Sequence, residues 1–137
     1  MSRLRAVNPA ELGAPRGYAH GMLAPAGGRL LFVAGQVGWD GEGRLVPGGF
    51  VAQFGQALRN VAAVVRAAGG RPEDVARLTI YVADRGEYLA DLGAVGAAYR
   101  EVMGRHYPAM ALVEVRALLD PGARVEIEAT AVLATES

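Results

Sequence analysis

Two acidic side chains lie two residues apart in the segment Val125-Glu126-Ile127-Glu128-Ala129. The alternation of this segment predicts a β-strand, in which residues i and i+2 point to the same face, so we expect the carboxylates of Glu126 and Glu128 to lie about 7 Å apart. Carboxylates at this separation can orient or deprotonate a water molecule in a hydrolytic reaction. The alternative is that one of them pairs with an arginine across a subunit interface. Glycoside hydrolysis is not favoured.

Tyr18, His20 and His106 are further candidates for chemistry. Imidazole titrates near neutral pH and can act as an acid, a base or a partner for a carboxylate. A single histidine on a strand is, however, more often a surface or hydrogen-bonded side chain, and His106 is expected to pack at the end of a helix. Tyr18 either donates a hydrogen bond to a ligand or only packs against its neighbours.

Metal and phosphate sites have little support in the sequence. With two histidines and no cysteine, a metal site would have only carboxylates left as ligands. Gly41-Glu42-Gly43 lacks the Lys and Ser/Thr that follow the glycines of a phosphate-binding loop. We therefore expect no metal and no cofactor. Trp39, in the same glycine-rich loop, is expected to hold the loop against its own domain, with cover of a ligand as the alternative.

The elements that must position these residues alternate between strands and helices. Two apolar runs, 17–23 and 30–36, flank the Pro/Gly-rich segment 24–29 and predict a β-hairpin. Apolar residues at three- and four-residue steps predict one helix from Val51 to Val65, ended by Gly69-Gly70. They predict a second helix from Asp84, which forms a capping box with Glu87, to Gly104. The remaining strands are predicted at 75–82, 109–115 and 125–133.

This order of elements predicts an α+β fold, a mixed β-sheet with two helices packed on one face. The helices are expected to cover the apolar face formed by alternate residues of 125–133. The opposite face would combine Glu126 and Glu128 with apolar groups that do not lie comfortably in water: Tyr81, Leu112, Val132 and one side of the segment 30–36. We therefore predict that a second copy of the chain covers this face.

The composition is that of one compact domain spanning residues 1–137. The chain is 52% hydrophobic, and its 14 basic residues balance its 14 acidic residues, so its formal net charge is zero. Without a basic field, nucleic-acid binding is not expected. No apolar run reaches the length of a signal peptide or a membrane span. We therefore expect no membrane association and a cytoplasmic location.

Several short segments together resemble the RidA family, which is also called the YjgF or reactive intermediate imine/enamine deaminase family. The resemblance extends from about Pro15 to Leu133, and the order and spacing of its segments carry it: Leu31-Phe32-Val33-Ala34-Gly35-Gln36, Gln56-Ala57-Leu58-Arg59-Asn60-Val61, Tyr107-Pro108-Ala109, Val113-Glu114-Val115 and Val125-Glu126-Ile127-Glu128-Ala129. It implies a chorismate-mutase-like fold and a homotrimer, in which the sheets form an inner barrel and small molecules bind in clefts between subunits.

The resemblance also implies a chemistry and residues for it. Family members hydrolyse enamines and imines derived from amino acids to 2-oxo acids and ammonia. In them an arginine holds the substrate carboxylate through paired hydrogen bonds, and a carboxylate orients the attacking water. Glu126 matches that carboxylate, but Met110 stands where the arginine usually stands. This chain thus resembles a subgroup that lacks the carboxylate-binding arginine.

Other cleft positions follow from the same resemblance. Tyr18 and His20 match positions of the N-terminal cleft strand, with His20 as a candidate for catalysis. Gly35 and Gln36 match residues whose backbone contacts ligands. Met110 and Leu112 would line the cleft, Leu112 at the position of a small residue or cysteine. The usual cleft asparagine of the second helix corresponds to Gly96, so the cleft would favour a less polar or differently charged ligand.

Two arginines of this chain are candidates to replace the missing cation. Arg116 shares the strand parity of Met110, but six residues of strand place it about 20 Å away. Arg105 follows Gly104 at a helix end, where an exposed arginine usually interacts with the helix carbonyls. An arginine from a neighbouring subunit remains an open alternative.

The leading interpretation is a homotrimer that binds small metabolites in clefts between subunits and hydrolyses imine or enamine intermediates to carbonyl products and ammonia. Whether the chain is an enzyme is left open by Met110. The first alternative is a trimer that binds a small ligand without catalysis. A weaker alternative is an endoribonuclease or inhibitor of translation, an activity that relatives are reported to show and that a neutral surface does not favour.

Overall fold

In the computed structural model, which describes residues 3–135, the chain forms a mixed four-stranded β-sheet, a separate two-stranded ribbon and three α-helices. The elements in chain order are β1 (Arg5–Val7), β2 (Gly21–Leu23), β3 (Arg29–Val37), α1 (Gly49–Ala67), β4 (Val75–Val82), α2 (Arg85–Ala90), α3 (Leu92–Met103), β5 (Ala109–Glu114) and β6 (Val125–Leu133), with 3-10 turns at Ala10–Leu12 and Pro72–Asp74.

The four-stranded sheet has the order β3-β6-β4-β5, in which only the β4–β5 pair is parallel. Helices α1 and α3 pack on one face, and alternate residues of β6 and β4 are buried beneath them, from Val125 to Leu133 and from Val75 to Val82. The predicted α+β fold with helices on one face of a mixed sheet is confirmed. Among residues 3–135 no helix has the length and apolar character needed to cross a membrane.

The predicted hairpin of residues 17–23 and 30–36 is wrong. Strand β2 begins only at Gly21 and pairs antiparallel with β1, whereas β3 pairs with β6. The reason is the number of residues that can pair. Strand β2 has only three residues, whereas β6 pairs with β3 along most of the nine residues of β3 and buries the same apolar face of the sheet. The turn 24–29 reverses the chain as its Pro/Gly content indicates, but turn chemistry does not decide which strands pair.

The predicted second helix is interrupted at Asp91, whose backbone is not helical. Its carboxylate accepts a hydrogen bond from the Ala94 amide at 3.0 Å and caps α3, while Asp84 caps α2 by accepting from the Gly86 amide at 2.8 Å. The capping box expected from Glu87 is not formed, because the Glu87 carboxylate pairs with Arg124 instead. Helix α3 ends at Gly104, which has a positive φ.

Met110 and Leu112 face the helices, not the open face on which Leu112 was predicted. In the parallel β4–β5 pair, Met110 lies beside Leu78 and Leu112 beside Ile80, and neighbours in a sheet share a face. Both side chains are half-buried and pack against the core. Both sets of alternate residues in β5 are largely apolar, so the sequence does not show which set faces the helices. Only the register of its pairing with β4 decides this. Tyr81 and Val132 do lie on the open side, beside Glu126 and Leu30 respectively.

Tyr99 connects α3 to the loop that leads into β5. Its hydroxyl donates a hydrogen bond to the His106 carbonyl at 2.6 Å, its ring stacks on Tyr107, and burial raises its pKa well above the ordinary value. The His106 imidazole in turn lies 2.7 Å from the Val75 carbonyl, so its Nε2–H donates there. The two bonds hold the end of α3 against the start of β4.

Tyr99 is expected to make the fold sensitive to alkaline pH. The pKa of Tyr99 in the folded protein lies above 10.0, its value in the unfolded chain. Tyr99 therefore contributes its full stabilisation of the fold below pH 10, and this contribution is lost as the pH rises toward the folded pKa. We expect the free energy of unfolding to fall above about pH 10, and Tyr99→Phe to weaken that dependence and to cost about 1 kcal/mol at pH 7. Urea unfolding at several pH values measures both quantities. An identical pH profile in the variant would contradict this assignment.

Candidate functional site

Glu126 and Glu128 lie on the open face of the sheet, as their spacing predicts, together with Tyr81 of β4. The Tyr81 hydroxyl donates a hydrogen bond to Glu128 Oε1 at 3.0 Å. That bond, followed by desolvation and the charges of both carboxylates, raises the pKa of Tyr81. Tyr81 therefore stays protonated at neutral pH, and its hydroxyl remains hydrogen-bonded to the Glu128 carboxylate. Within residues 3–135 the Glu126 carboxylate accepts no hydrogen bond, so its oxygens remain available to a ligand or water.

Gly35 lies directly beneath the carboxylate of Glu126. A Cβ atom at residue 35 would lie 2.1 Å from Glu126 Oε2, so any side chain there would displace the carboxylate. Glycine at this position thus sets the place of the acid. The Gln36 side chain bonds locally: its amide donates to the Ala34 carbonyl at 3.1 Å, and its oxygen accepts from the Trp39 indole at 3.4 Å.

A shallow hollow of about 390 Å³ adjoins the acids on the open face. Its walls are Tyr81, Glu126, Glu128 and the loop that follows β5, in which Leu119 is 99% exposed. Glu126 and Glu128 make the floor of the hollow acidic, and the loop after β5 makes its rim apolar. No other part of residues 3–135 covers it.

Tyr18 and His20 lie at the far edge of the sheet. Ala19, between them, bridges to Ala109, the first residue of β5, and the rings of Tyr18 and His20 meet edge to face with their centroids 5.2 Å apart. His20 Nε2 lies 3.2 Å from the Gly13 carbonyl, to which it donates. Because β5 and β4 stand between this edge and β6, His20 and Glu126 are separated by roughly 14 Å across the sheet alone. One chain therefore does not bring this predicted catalytic pair together.

A second cavity, of about 410 Å³, opens between the sheet and α3 on the helix-covered side. Met110, Ile80, Phe54 and Val95 supply apolar side chains to its lining. Tyrosines 88, 99 and 107 also line it, together with Gly96 and with Arg16 and Arg100. Leu112 packs against the core but is not part of this lining.

The sequence does not predict the two arginines of this lining, Arg16 and Arg100. Arg100 lies one helical turn after Gly96 and therefore on the same face of α3, a spacing that was available as a signal. Arg16 comes from a loop whose path no local pattern predicts. Arg105, one of the two candidate replacements for the missing cation, lines a different depression together with Tyr18 and His106.

Met110 and Glu126 thus point to opposite sides of the sheet, one into the cavity under α3 and the other onto the open face. A single site that contains both requires a second chain. Within residues 3–135 no three His, Asp or Glu side chains lie close enough together to bind a metal ion.

These features define a class: an α+β protein with helices on one face of a mixed sheet and a carboxylate on the open face of β6. Residues 9–133 match the family described as Endoribonuclease L-PSP. The chain therefore belongs to this family, the RidA or YjgF family that its short segments resemble.

Individual relatives agree with this assignment. The 2-iminobutanoate/2-iminopropanoate deaminase of Rattus norvegicus is 38% identical over 125 residues, which cover 90% of this chain and 83% of the rat protein. A Yersinia pestis protein of the conserved Rid family superposes with a TM-score of 0.85 at 37% identity, covering 96% of this chain and 99% of that one. Escherichia coli TdcF, solved with bound serine, superposes with a TM-score of 0.66 at 29% identity, covering 89% and 92%.

Proposed function

We propose that this chain assembles into a homotrimer through its open sheet face and hydrolyses small imine or enamine intermediates in clefts between protomers, with Glu126 orienting the water. The observation that carries the proposal is the Glu126 carboxylate, held over Gly35 on an otherwise uncovered face. Relatives named as 2-iminobutanoate/2-iminopropanoate deaminases support the reaction class. We further propose that residues 1–137 form a single domain that resides in the cytoplasm.

The apolar character of the open face supports self-association. Leu30 is 61% exposed, Phe32 73% and Val113 44%, and all three lie on the side of the sheet opposite the helices. Exposed apolar groups of this extent are typical of an interface. A neighbouring protomer packed there would bury them.

Assembly also supports a complete site. Met110 lines a cavity on one face of the sheet, and the carboxylate of Glu126 lies on the opposite face of the same sheet. The acid that reacts in this cavity would therefore be Glu126 of a neighbouring protomer. Tyr18 and His20, at the β5 edge, would then shape the mouth of the cleft. Gly35 and Gln36 would offer backbone groups to the ligand beside the acid.

The reaction needs one water and no oxidant. Glu126 accepts a proton as the water oxygen bonds to the imine carbon, and the nitrogen takes up that proton. Glu126 then takes the hydroxyl proton of the resulting carbinolamine and passes it to the nitrogen, the C–N bond breaks, the carbonyl forms and ammonia leaves. The half-buried carboxylate, not engaged by Tyr81, is free for this proton transfer.

Binding without turnover is the second candidate function, and Met110 is the observation that favours it. A thioether cannot pair with a substrate carboxylate, so the usual anchor for an imino acid is absent at that position. The same clefts would then hold a small metabolite or a hydrophobic carboxylic acid.

One assay separates the two functions. The protein is mixed with 2-aminoacrylate or another imino acid generated in situ, and ammonia and 2-oxo acid release are followed. We expect release faster than in buffer and proportional to protein concentration. Saturable binding of the 2-oxo acid with no acceleration for any imine would replace hydrolysis by the binding function.

Phe32→Glu is expected to dissociate the trimer. The carboxylate would be buried without a partner at an apolar interface, which should raise the dissociation constant at least about 100-fold. Analytical ultracentrifugation of wild type and variant measures this change, and circular dichroism checks that the fold is retained. Leu89→Glu is the matched control, since Leu89 is 57% exposed but lies on α2, away from the open face. A wild type that sediments as a monomer at micromolar concentration would refute the assembly.

A further inference from the structure

The cavity under α3 carries positive charge in a chain whose formal net charge is zero. Arg16 and Arg100 both line it, and its lining contains no aspartate or glutamate. Within residues 3–135 neither guanidinium takes part in a hydrogen bond or an ion pair. Two unpaired cations beside an apolar cavity are the arrangement that an anionic ligand with an apolar body would complement.

Arg100 reaches back along α3 toward Gly96. A Cβ atom at residue 96 would lie 3.1 Å from Nη1 of Arg100, so the guanidinium would have to shift by a few tenths of an ångström. With glycine at residue 96 the arginine makes no such close contact. The resemblance described from the sequence implies an asparagine at the position of Gly96 and an arginine at the position of Met110.

We infer that Arg100 is the carboxylate anchor of this protein, moved from the sheet to α3. Met110 leaves the sheet without a cation in this cavity, and Arg100 on α3 lines the same cavity. Arg16, from the loop on the same cavity, supplies a second positive charge. The inference concerns the same cleft as the proposed function and rests on it only for the reaction.

The position of the anchor also defines the class of ligand. With the carboxylate held at Arg100, the rest of the ligand extends toward the apolar side chains of Met110, Ile80 and Val95. A cavity of about 410 Å³ has room for more than the methyl or methylene group of the smallest imino acids. We therefore assign it to 2-oxo and 2-imino acids that carry branched aliphatic or aromatic side chains.

Direct binding tests the anchor without any need for turnover. Isothermal titration calorimetry with 4-methyl-2-oxopentanoate as the probe, and with its uncharged methyl ester for comparison, gives the dissociation constants. We expect Arg100→Gln to weaken binding of the acid about 10- to 100-fold and to leave binding of the ester unchanged. Binding of the acid to the wild type should also weaken with added salt.

Arg66→Gln is the matched control, because Arg66 is likewise an exposed arginine in the last turn of a helix but does not line the cavity. It should bind the acid as the wild type does. Adding Met110→Arg to the Arg100→Gln variant returns the cation to the sheet and should restore much of the lost affinity. Circular dichroism verifies that each variant is folded.

The outcomes separate this inference from the proposed function. If the acid binds through Arg100 but no imine is hydrolysed, the anchor stands and the hydrolase proposal fails. If imines are hydrolysed but neither KM nor the dissociation constant responds to Arg100→Gln, the hydrolase proposal stands and the anchor is refuted. Failure of the wild type to bind the acid at millimolar concentration also overturns the anchor.

Discussion

Glu126→Gln is expected to lower the rate of imine hydrolysis by about 10²- to 10⁴-fold, the contribution typical of a general base. Glutamine keeps the size of the side chain but cannot take a proton from water. Because Glu126 is only half-buried and accepts no hydrogen bond within residues 3–135, the free energy of unfolding should change by less than about 0.5 kcal/mol. Steady-state release of 2-oxo acid from an imine generated in situ, together with urea unfolding, measures the two effects.

Glu128→Gln is the control for this prediction. The two acids share a strand and a face, but Glu128 accepts a hydrogen bond from the Tyr81 hydroxyl at 3.0 Å. We expect its replacement to reduce the rate by less than about tenfold, since a structural hydrogen bond is weakened and no proton acceptor is lost. An equal loss of hydrolysis rate in the two variants would contradict the assignment, because it would show that the rate depends on the negative charge of the face and not on the position of Glu126.

Gly35→Ala reaches the same carboxylate by a different route. Its Cβ would lie 2.1 Å from Glu126 Oε2, and the end of a flexible side chain can move aside at little cost to the fold. We expect loss of activity approaching that of Glu126→Gln with a folded protein. Full activity in Gly35→Ala would argue that the placement of the carboxylate over β3 is irrelevant to the reaction.

Phe54→Ala is expected to lower the free energy of unfolding by about 3–5 kcal/mol, the largest stability effect that we foresee. Phe54 is 1% exposed, lies on α1 and packs near Phe50, with 6.1 Å between ring centroids. Removing its ring leaves a void between helix and sheet that the surrounding side chains fill only partly. Since domains are typically stable by about 5–15 kcal/mol, this loss removes a large share of the total.

Chemical denaturation of Phe54→Ala and Phe32→Ala at matched states of association checks this prediction. Phe32 is 73% exposed on the open face, so truncating it should cost under about 0.5 kcal/mol within one protomer. If Phe54→Ala does not fold, Phe54→Leu provides a milder measurement in the same direction. Similar losses at the two phenylalanines would mean that burial within the chain does not distinguish them.

Several parts of this protein follow from local sequence. The apolar stripe of residues 51–65 predicts α1, because the side chains that recur every 3.6 residues must share one buried face. The alternation of residues 125–131 predicts both β6 and the outward position of Glu126. Gly104 predicts the end of α3. The family could likewise be inferred from short segments whose order and spacing agree along nearly the whole chain.

The candidate site could be predicted only in part. Glu126 and Gly35 were both named from the sequence, and the structure brings them into contact. Met110 lines a cavity under α3, whereas Leu112, predicted on the open face, lies on the helix-covered face because it pairs with Ile80. Local sequence does not predict Arg100 as a cavity residue, because that depends on the position of α3 over the sheet.

The amino-acid sequence by itself determined the helical stripes, the strand alternation, the charge balance and the family of this protein, because each depends on residues within a few turns of one another or on their order. Only the tertiary structure decided that β2 pairs with β1, that Met110 and Leu112 lie under the helices, and that Arg100 lines the same cavity as Arg16. These outcomes depend on which distant strands exchange hydrogen bonds and in what register. Shifting a strand by one residue reverses every side chain that it presents, so local periodicity cannot choose among them.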